Sequence, residues 1–204
     1  MWHLPVALDL AGRSALVVGS SDEMVSKVER LLDAGAEVGL VLPAEAHPRF
    51  LALAGEGRVK LERRAAEDSD LEGRAIVFLA PSQSPEDEAL ARRWFLRLRA
   101  EGRLFCCVDR PEVSTFVNAA VVRPGASGLT ITVATSGQSP GTSRRIREDL
   151  EALFADPRFE RYLAALGRLR ASLPRGERAA RLSEAVRGFG IDAKLRFPPW
   201  LDEA

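Results

Sequence analysis

Histidine, cysteine and lysine are scarce in this chain of 204 residues, and each shortage removes a class of function. The two histidines, His3 and His47, stand far apart, and two isolated imidazoles do not make a metal site. The two cysteines, Cys106 and Cys107, are adjacent at the end of an apolar run. Neighbours on a strand point to opposite faces, so the pair reads as reduced, buried thiols rather than a disulfide or metal ligands. Lysine occurs only as Lys27, Lys60 and Lys194, so the basic residues are nearly all arginine. That bias fits a skewed genome composition, and it also fits guanidinium forks laid out for carboxylates. No run approaches the ~20 apolar residues of a membrane span, and no charged-then-apolar leader opens the chain. A cytoplasmic protein without a membrane partner is expected. The formal net charge is zero, which argues against a general nucleic-acid binder. With 46% hydrophobic and 28% charged residues, one or two globular domains are expected.

What is present is organised around Ser14 to Ala36, SALVVGSSDEMVSKVERLLDAGA. Ala15-Leu16-Val17-Val18 reads as a buried strand and Gly19-Ser20-Ser21 as a tight turn. Met24, Val25, Val28, Leu31 and Leu32 then take the spacing of one helix face, closed by Gly35. A second strand, Glu37 to Leu42, follows at once. Strand, glycine turn, helix and strand make a βαβ unit, whose first turn is where such folds hold a dinucleotide's diphosphate. Three glycines serve that turn: one for its tightness, one for close approach of phosphate, one for helix packing. Here Gly19 fills the first place, Ser21 the second and Met24 the third. Methionine brings a long side chain where almost none is wanted. Asp22 and Glu23 suit the helix dipole but repel a phosphate.

The remaining chain continues the alternation. Arg49 to Gly55 reads as a short helix, Val59 to Glu62 as a strand, and Ala75 to Ala80 as a strand buried on both faces. Ser84 caps a helix over Pro85 to Glu101, and Leu104 to Val108 is a fifth strand. Leu4, Val6 and Leu8 alternate in a short lead-in strand. Thr115 to Val122 and Leu129 to Thr135, joined by Arg123-Pro124-Gly125, read as an antiparallel hairpin. A polar turn, Ser136 to Ser143, feeds a helix starting near Arg144. Beyond Pro157 the chain reads as helical, with Phe159, Tyr162, Leu163, Leu166, Leu169 and Leu173 forming an apolar stripe for a core or a dimer seam. From Ile191 it reads as extended. Glu45, in the loop after the second strand, could serve a ribose or simply face solvent.

Several stretches together resemble one family: His3-Leu4-Pro5, Val17-Val18-Gly19, Cys107-Val108-Asp109-Arg110-Pro111, Phe116, and Ser136-Gly137-Gln138-Ser139-Pro140 with Arg144, Arg147 and Glu151. In order and spacing they resemble the precorrin-2 dehydrogenase/sirohydrochlorin ferrochelatase module of siroheme synthase, from residue 3 to about 154 and more loosely beyond. The resemblance implies an α/β fold with a Rossmann-like parallel sheet, followed by an antiparallel dimerisation hairpin and a C-terminal helical domain. The corresponding boundaries are 1–113, 114–154 and 155–204. It implies a homodimer that oxidises precorrin-2 to sirohydrochlorin with NAD, and that in many members inserts ferrous iron. By residue, it implies a catalytic role for Asp109 and cofactor contacts at Gly19, Ser20, Ser21, Asp22, Glu23, Pro43 and Ala44. It implies substrate contacts at Ser139 and the turn around it.

Physical chemistry supports part of this. Precorrin-2 is a polycarboxylate, and Ser136, Ser139, Arg144 and Arg147 offer hydroxyls, helix amides and guanidinium forks together. The same residues also fit a capped helix with a solvated basic face. Asp109 sits at a carboxyl strand end, where open α/β sheets bind ligands, and a carboxylate there can take or relay a proton; it also fits a turn cap. The chain departs from the family at Ser20, Ser21 and Met24, at Cys106 in place of an asparagine, and at Ala119 in place of a proline. Drift within an active enzyme would produce such changes, and so would loss of the oxidation step. A non-redox protein that binds or metallates the tetrapyrrole is therefore the alternative expectation. Either way the substrate would come from another protein.

Overall fold

Ser14–Val18 forms β1, the middle strand of a five-stranded parallel sheet, in a computed structural model that describes residues 4–42, 45–82, 84–135 and 138–201. Its residues from Ala15 onward are apolar and buried, as a strand covered on both faces requires. Beside it lie β2 (Glu37–Val41), β3 (Val59–Glu62), β4 (Ile76–Leu79) and β5 (Leu104–Cys107), in the order β3-β2-β1-β4-β5. The crossovers carry α1 (Asp22–Asp33), α2 (Pro48–Gly55) and α3 (Pro85–Ala100). Val18 pairs with Val41 and Leu79, and Leu79 with Cys107, so the carboxyl ends of four strands line up along one edge.

Strand alternation sorts the core into two layers. Val17, Leu40, Phe78 and Cys106 face a cluster with Met24 and Val28 of α1 and Phe50 of α2. Leu16, Val41, Leu79 and Cys107 face a second one with Trp94 and Leu98 of α3. The adjacent cysteines therefore enter different layers, both free and buried.

The expected hairpin strands are shorter than their apolar runs, and Ser114 and Thr115, just ahead of them, are used elsewhere. They close the open edge of β5: Thr115 N–H donates to Phe105 O (2.7 Å), while Phe105 and Cys107 donate to Thr115 Oγ1 (2.8 Å) and Ser114 Oγ (2.9 Å). An uncovered edge would present a row of unpaired amides and carbonyls. The antiparallel hairpin is left with β6 (Ala120–Val122) and β7 (Ile131–Val133). Helices α4 (Pro140–Leu153), α5 (Pro157–Ser172) and α6 (Arg178–Val186) follow. Helix α4 begins earlier than the expected Arg144, since proline is favoured in a first turn.

One other expectation is corrected. The alternating Leu4, Val6 and Leu8 form no strand: all three are exposed, and Pro5 removes a donor that pairing would need. An unforeseen 3-10 turn, Asp68–Leu71, places Asp70 in a buried site beside Arg64. Contacts divide the chain into two units, residues 1–120 with 134–143, and residues 121–133 with 144–204. The first holds the sheet. In the second, α5 and α6 bury no residue, and Tyr162 stacks on Phe189 with centroids 5.0 Å apart. Among the described residues no helix is long and apolar enough to cross a membrane.

Candidate active site

The strand order reverses between β1 and β4, and ligands of open parallel sheets bind at that reversal, beyond the carboxyl ends. Gly19 follows β1 there with φ 120°, a conformation that L side chains rarely adopt. A Cβ on it would lie 2.8 Å from Ala80 Cβ and 3.1 Å from Ala80 O. Glycine is thus required at this place for both backbone and space.

Ser21 caps α1, its hydroxyl accepting from Met24 N–H at 3.4 Å. The first amides of a helix have no intrahelical partner and face outward. Met24 does not crowd them. Its side chain is fully buried in the layer with Val17, Val28 and Phe78, so the long residue fills core rather than the turn. The carboxylates behave as the sequence suggests: Asp22 is exposed, and Glu23 pairs with Lys27 at 3.0 Å. On backbone grounds the turn fits a dinucleotide's diphosphate, with two acidic side chains beside it.

The loop before α2 reaches back to this turn. His47 N–H donates to Ser20 Oγ (2.8 Å), and His47 Nε2 lies 3.0 Å from Asp22 Oδ1. His47 also caps α2, its Nδ1 accepting from Arg49 N–H at 3.1 Å. In the sequence His47 reads only as an isolated loop histidine. The available signal was its place directly before Pro48, a first-turn proline with an acceptor ahead of it.

Asp109 stands beyond β5 with φ 60°, and among the described residues it is the one non-glycine with positive φ. Aspartate tolerates the left-handed region better than most residues, yet such placements concentrate at functional sites. Arg110 N–H donates to Cys107 O (3.2 Å), closing a tight turn around Val108 and Asp109. Ser114 Oγ bridges the turn, its one hydroxyl proton shared between Cys107 O (3.2 Å) and Arg110 O (2.9 Å). Arg110 is tied to Glu88 of α3 at 2.7 Å, an ion pair that raises its pKa. Burial pushes the adjacent thiols, Cys106 and Cys107, both up to about 11. Asn118 Nδ2 sits 3.8 Å from Cys106 Sγ.

Ser139 precedes α4, and its Oγ is 2.7 Å from Thr142 Oγ1 and 3.3 Å from Thr142 N. Thr135 Oγ1 holds the same turn, donating to Ser139 O (3.0 Å) and accepting from Ser139 N–H (3.2 Å). On α4, Arg144 is exposed and pairs with Glu148 at 3.0 Å. Arg147 is less exposed; its nearest carboxylates, on Glu148 and Glu151, are 3.9 and 3.8 Å away, and its buried Nε has no hydrogen-bond partner among the described residues. Gly19 to Glu23 and Asp109 thus share the carboxyl edge of one sheet. Pro43, Ala44 and Ser136 lie outside the described residues.

Comparison with known proteins gives a consistent picture. Residues 6–120 match a family model described as "Putative NAD(P)-binding". Siroheme synthase 1 of Cronobacter sakazakii is 32% identical over 169 residues, covering 83% of this chain and 33% of that protein. Siroheme synthase of Methylobacillus flagellatus is 31% identical over 187 residues, covering 92% and 36%. The chain therefore spans about a third of the length of these relatives. Among solved structures, SirC, a precorrin-2 dehydrogenase, superposes with a TM-score of 0.75 at 21% identity, over 91% of this chain and 90% of that one. That likeness carries the fold: parallel sheet, separate hairpin and helical end.

Proposed function

The chain belongs to this NAD(P)-binding family, and from that premise we infer that it oxidises precorrin-2 to sirohydrochlorin, with NAD as the acceptor. The observation that carries the reading is Asp109, a carboxylate held in a left-handed turn on the same sheet edge as the Gly19 turn. Its support from relatives is the shared stretch with siroheme synthases.

The oxidation removes two electrons and two hydrogens from the macrocycle. A nicotinamide held at the Gly19 turn would supply the hydride acceptor for one of them. The other hydrogen leaves as a proton, and Asp109 is the base that receives it. Gly19, Ser20, Ser21, Asp22, Glu23, Pro43 and Ala44 form the nucleotide side. Ser136, Ser139, Arg144 and Arg147 serve the ring's carboxylates, because paired donors and guanidinium groups recognise carboxylate strongly. Where the ring is also metallated, ferrous iron would be a second substrate, displacing the two pyrrole protons of sirohydrochlorin, with Asp109 as a base for them. In this reading residues 1–113 bind nucleotide, 114–154 pair two copies and 155–204 form a C-terminal helical domain, in a cytoplasmic homodimer. The apolar stripe of α5, only partly buried in one chain, supports a further seam between copies.

The test is calorimetric titration of NAD⁺, followed by anaerobic turnover of precorrin-2 read as NADH formation. Binding and NADH formation are expected. A chain that binds sirohydrochlorin but no nucleotide would instead be a non-redox ring-binding or metal-inserting protein.

A further inference from the structure

Three hydrogen bonds meet on His47, and one of them reaches the Asp22 carboxylate, which is otherwise exposed to solvent. Nδ1 accepts the Arg49 backbone N–H, so that ring nitrogen carries no proton. The proton of the neutral imidazole is then on Nε2, 3.0 Å from Asp22 Oδ1, and is donated to it. The backbone bond from His47 to Ser20 Oγ fastens the same loop to the first turn. Asp22, at the start of α1, thus has its hydrogen-bond partner on the loop after β2 and keeps the rest of its carboxylate open to a ligand.

That loop is where this fold class reads the ribose next to adenine, normally with an acid at the end of the second strand. Here β2 runs out through Val41 and Leu42, both buried and apolar, and then Pro43. The usual acid is missing, and a carboxylate arrives from the first turn instead. The cation on the loop side, Arg49, is engaged with Glu29 at 2.9 Å and offers no ready seat for an extra phosphate.

We propose that Asp22, held by His47, reads the adenine ribose and makes the nucleotide site select NAD over NADP. The proposal rests on the nicotinamide reading above. A carboxylate accepts hydrogen bonds from ribose hydroxyls, whereas a 2′-phosphate in the same place meets it charge against charge. His47 acts through Asp22 and is a positioning residue.

The experiment is calorimetric titration of NAD⁺ and of NADP⁺ into the native chain and into Asp22→Asn, His47→Ala and Glu45→Gln. The native chain is expected to prefer NAD⁺ by about tenfold or more, the size of discrimination a polar contact and a repulsion can supply. Asp22→Asn is expected to shrink that preference to about threefold or less, partly by tightening NADP⁺. His47→Ala shifts it in the same direction. Glu45→Gln leaves it unchanged. Nitrogen NMR of the imidazole reads the Nε2–H tautomer in the native chain and its loosening in Asp22→Asn. Asp22 is exposed, so its variant folds even where His47→Ala does not. A preference that survives Asp22→Asn, that moves with Glu45→Gln, or that favours NADP⁺ at the outset overturns the proposal while leaving the nicotinamide reading in place. A native chain that binds neither nucleotide removes that reading, and this proposal with it.

Discussion

Gly19 and Ala80 meet where the strand order reverses: a Cβ on Gly19 would stand 2.8 Å from Ala80 Cβ. The contact joins the carboxyl ends of β1 and β4, beside the bond from Ala80 N–H to Val18 O (2.8 Å). Gly19→Ala therefore combines a clash with an unfavourable φ of 120°. It is expected to cost at least about 2 kcal/mol. Ala80→Gly added to it relieves the clash but not the backbone strain, so chemical denaturation of the double variant should show partial recovery. Full recovery would mean that φ at Gly19 is not constrained.

Met24→Ala separates core from cofactor. The sequence places methionine where the phosphate-binding motif wants a small residue, but its side chain is fully buried against Val17, Val28 and Phe78. The truncation is expected to cost about 2–5 kcal/mol without tightening NAD⁺. Tighter binding in a calorimetric titration would return Met24 to the phosphate site.

Asp109→Asn tests chemistry against backbone. Asparagine accepts the left-handed region as readily as aspartate, so stability should change by no more than about 0.5 kcal/mol. Loss of a general base is expected to lower turnover of precorrin-2 roughly a hundredfold or more. Unchanged turnover would reduce Asp109 to a turn former.

Asp70 gives a pH signature. It accepts from Arg64 Nη1 and from Glu67 N–H, both at 2.8 Å, and the Arg64 guanidinium holds its pKa below the usual carboxylate value despite burial. A folded-state pKa below the unfolded one means that the pair stabilises the protein above the ordinary carboxylate range. That contribution drains away as pH falls below about 4 and through the folded pKa. Asp70→Asn is expected to cost about 1–3 kcal/mol at neutral pH and to flatten the acid limb of a stability curve measured by urea unfolding. An acid limb identical to that of the native chain would show that the pair contributes nothing.

The buried thiols predict silence. With both pushed up to about 11, Cys106 and Cys107 remain protonated at mildly alkaline pH. An alkylating reagent should label neither in the native protein and both after unfolding, as mass spectrometry would count. Rapid native labelling of either residue would show that its layer opens.

Local order was legible in the sequence because periodicity and caps act over a few residues. Continuous apolar runs marked β1, β4 and β5, the 3.6-residue spacing marked α1, and Ser84 with Pro85 marked α3. The parity of adjacent residues already put Cys106 and Cys107 on opposite faces. The Val-Asp-x-Pro strand end singled out Asp109 as a candidate, though not its left-handed backbone. What the sequence could not decide were contacts between distant segments. Whether Met24 turned inward depended on the space between α1 and the sheet. The cover over the open edge of β5 depended on Ser114 and Thr115 reaching it. The clamp from His47 to Ser20 and Asp22 joins two loops that only the parallel sheet brings side by side. The chain alone determined which segments become strands and helices, since that is set by local backbone and burial preferences. Tertiary structure alone decided which polar groups meet at the carboxyl edge, since that depends on strand order, and strand order is fixed only when the whole sheet packs.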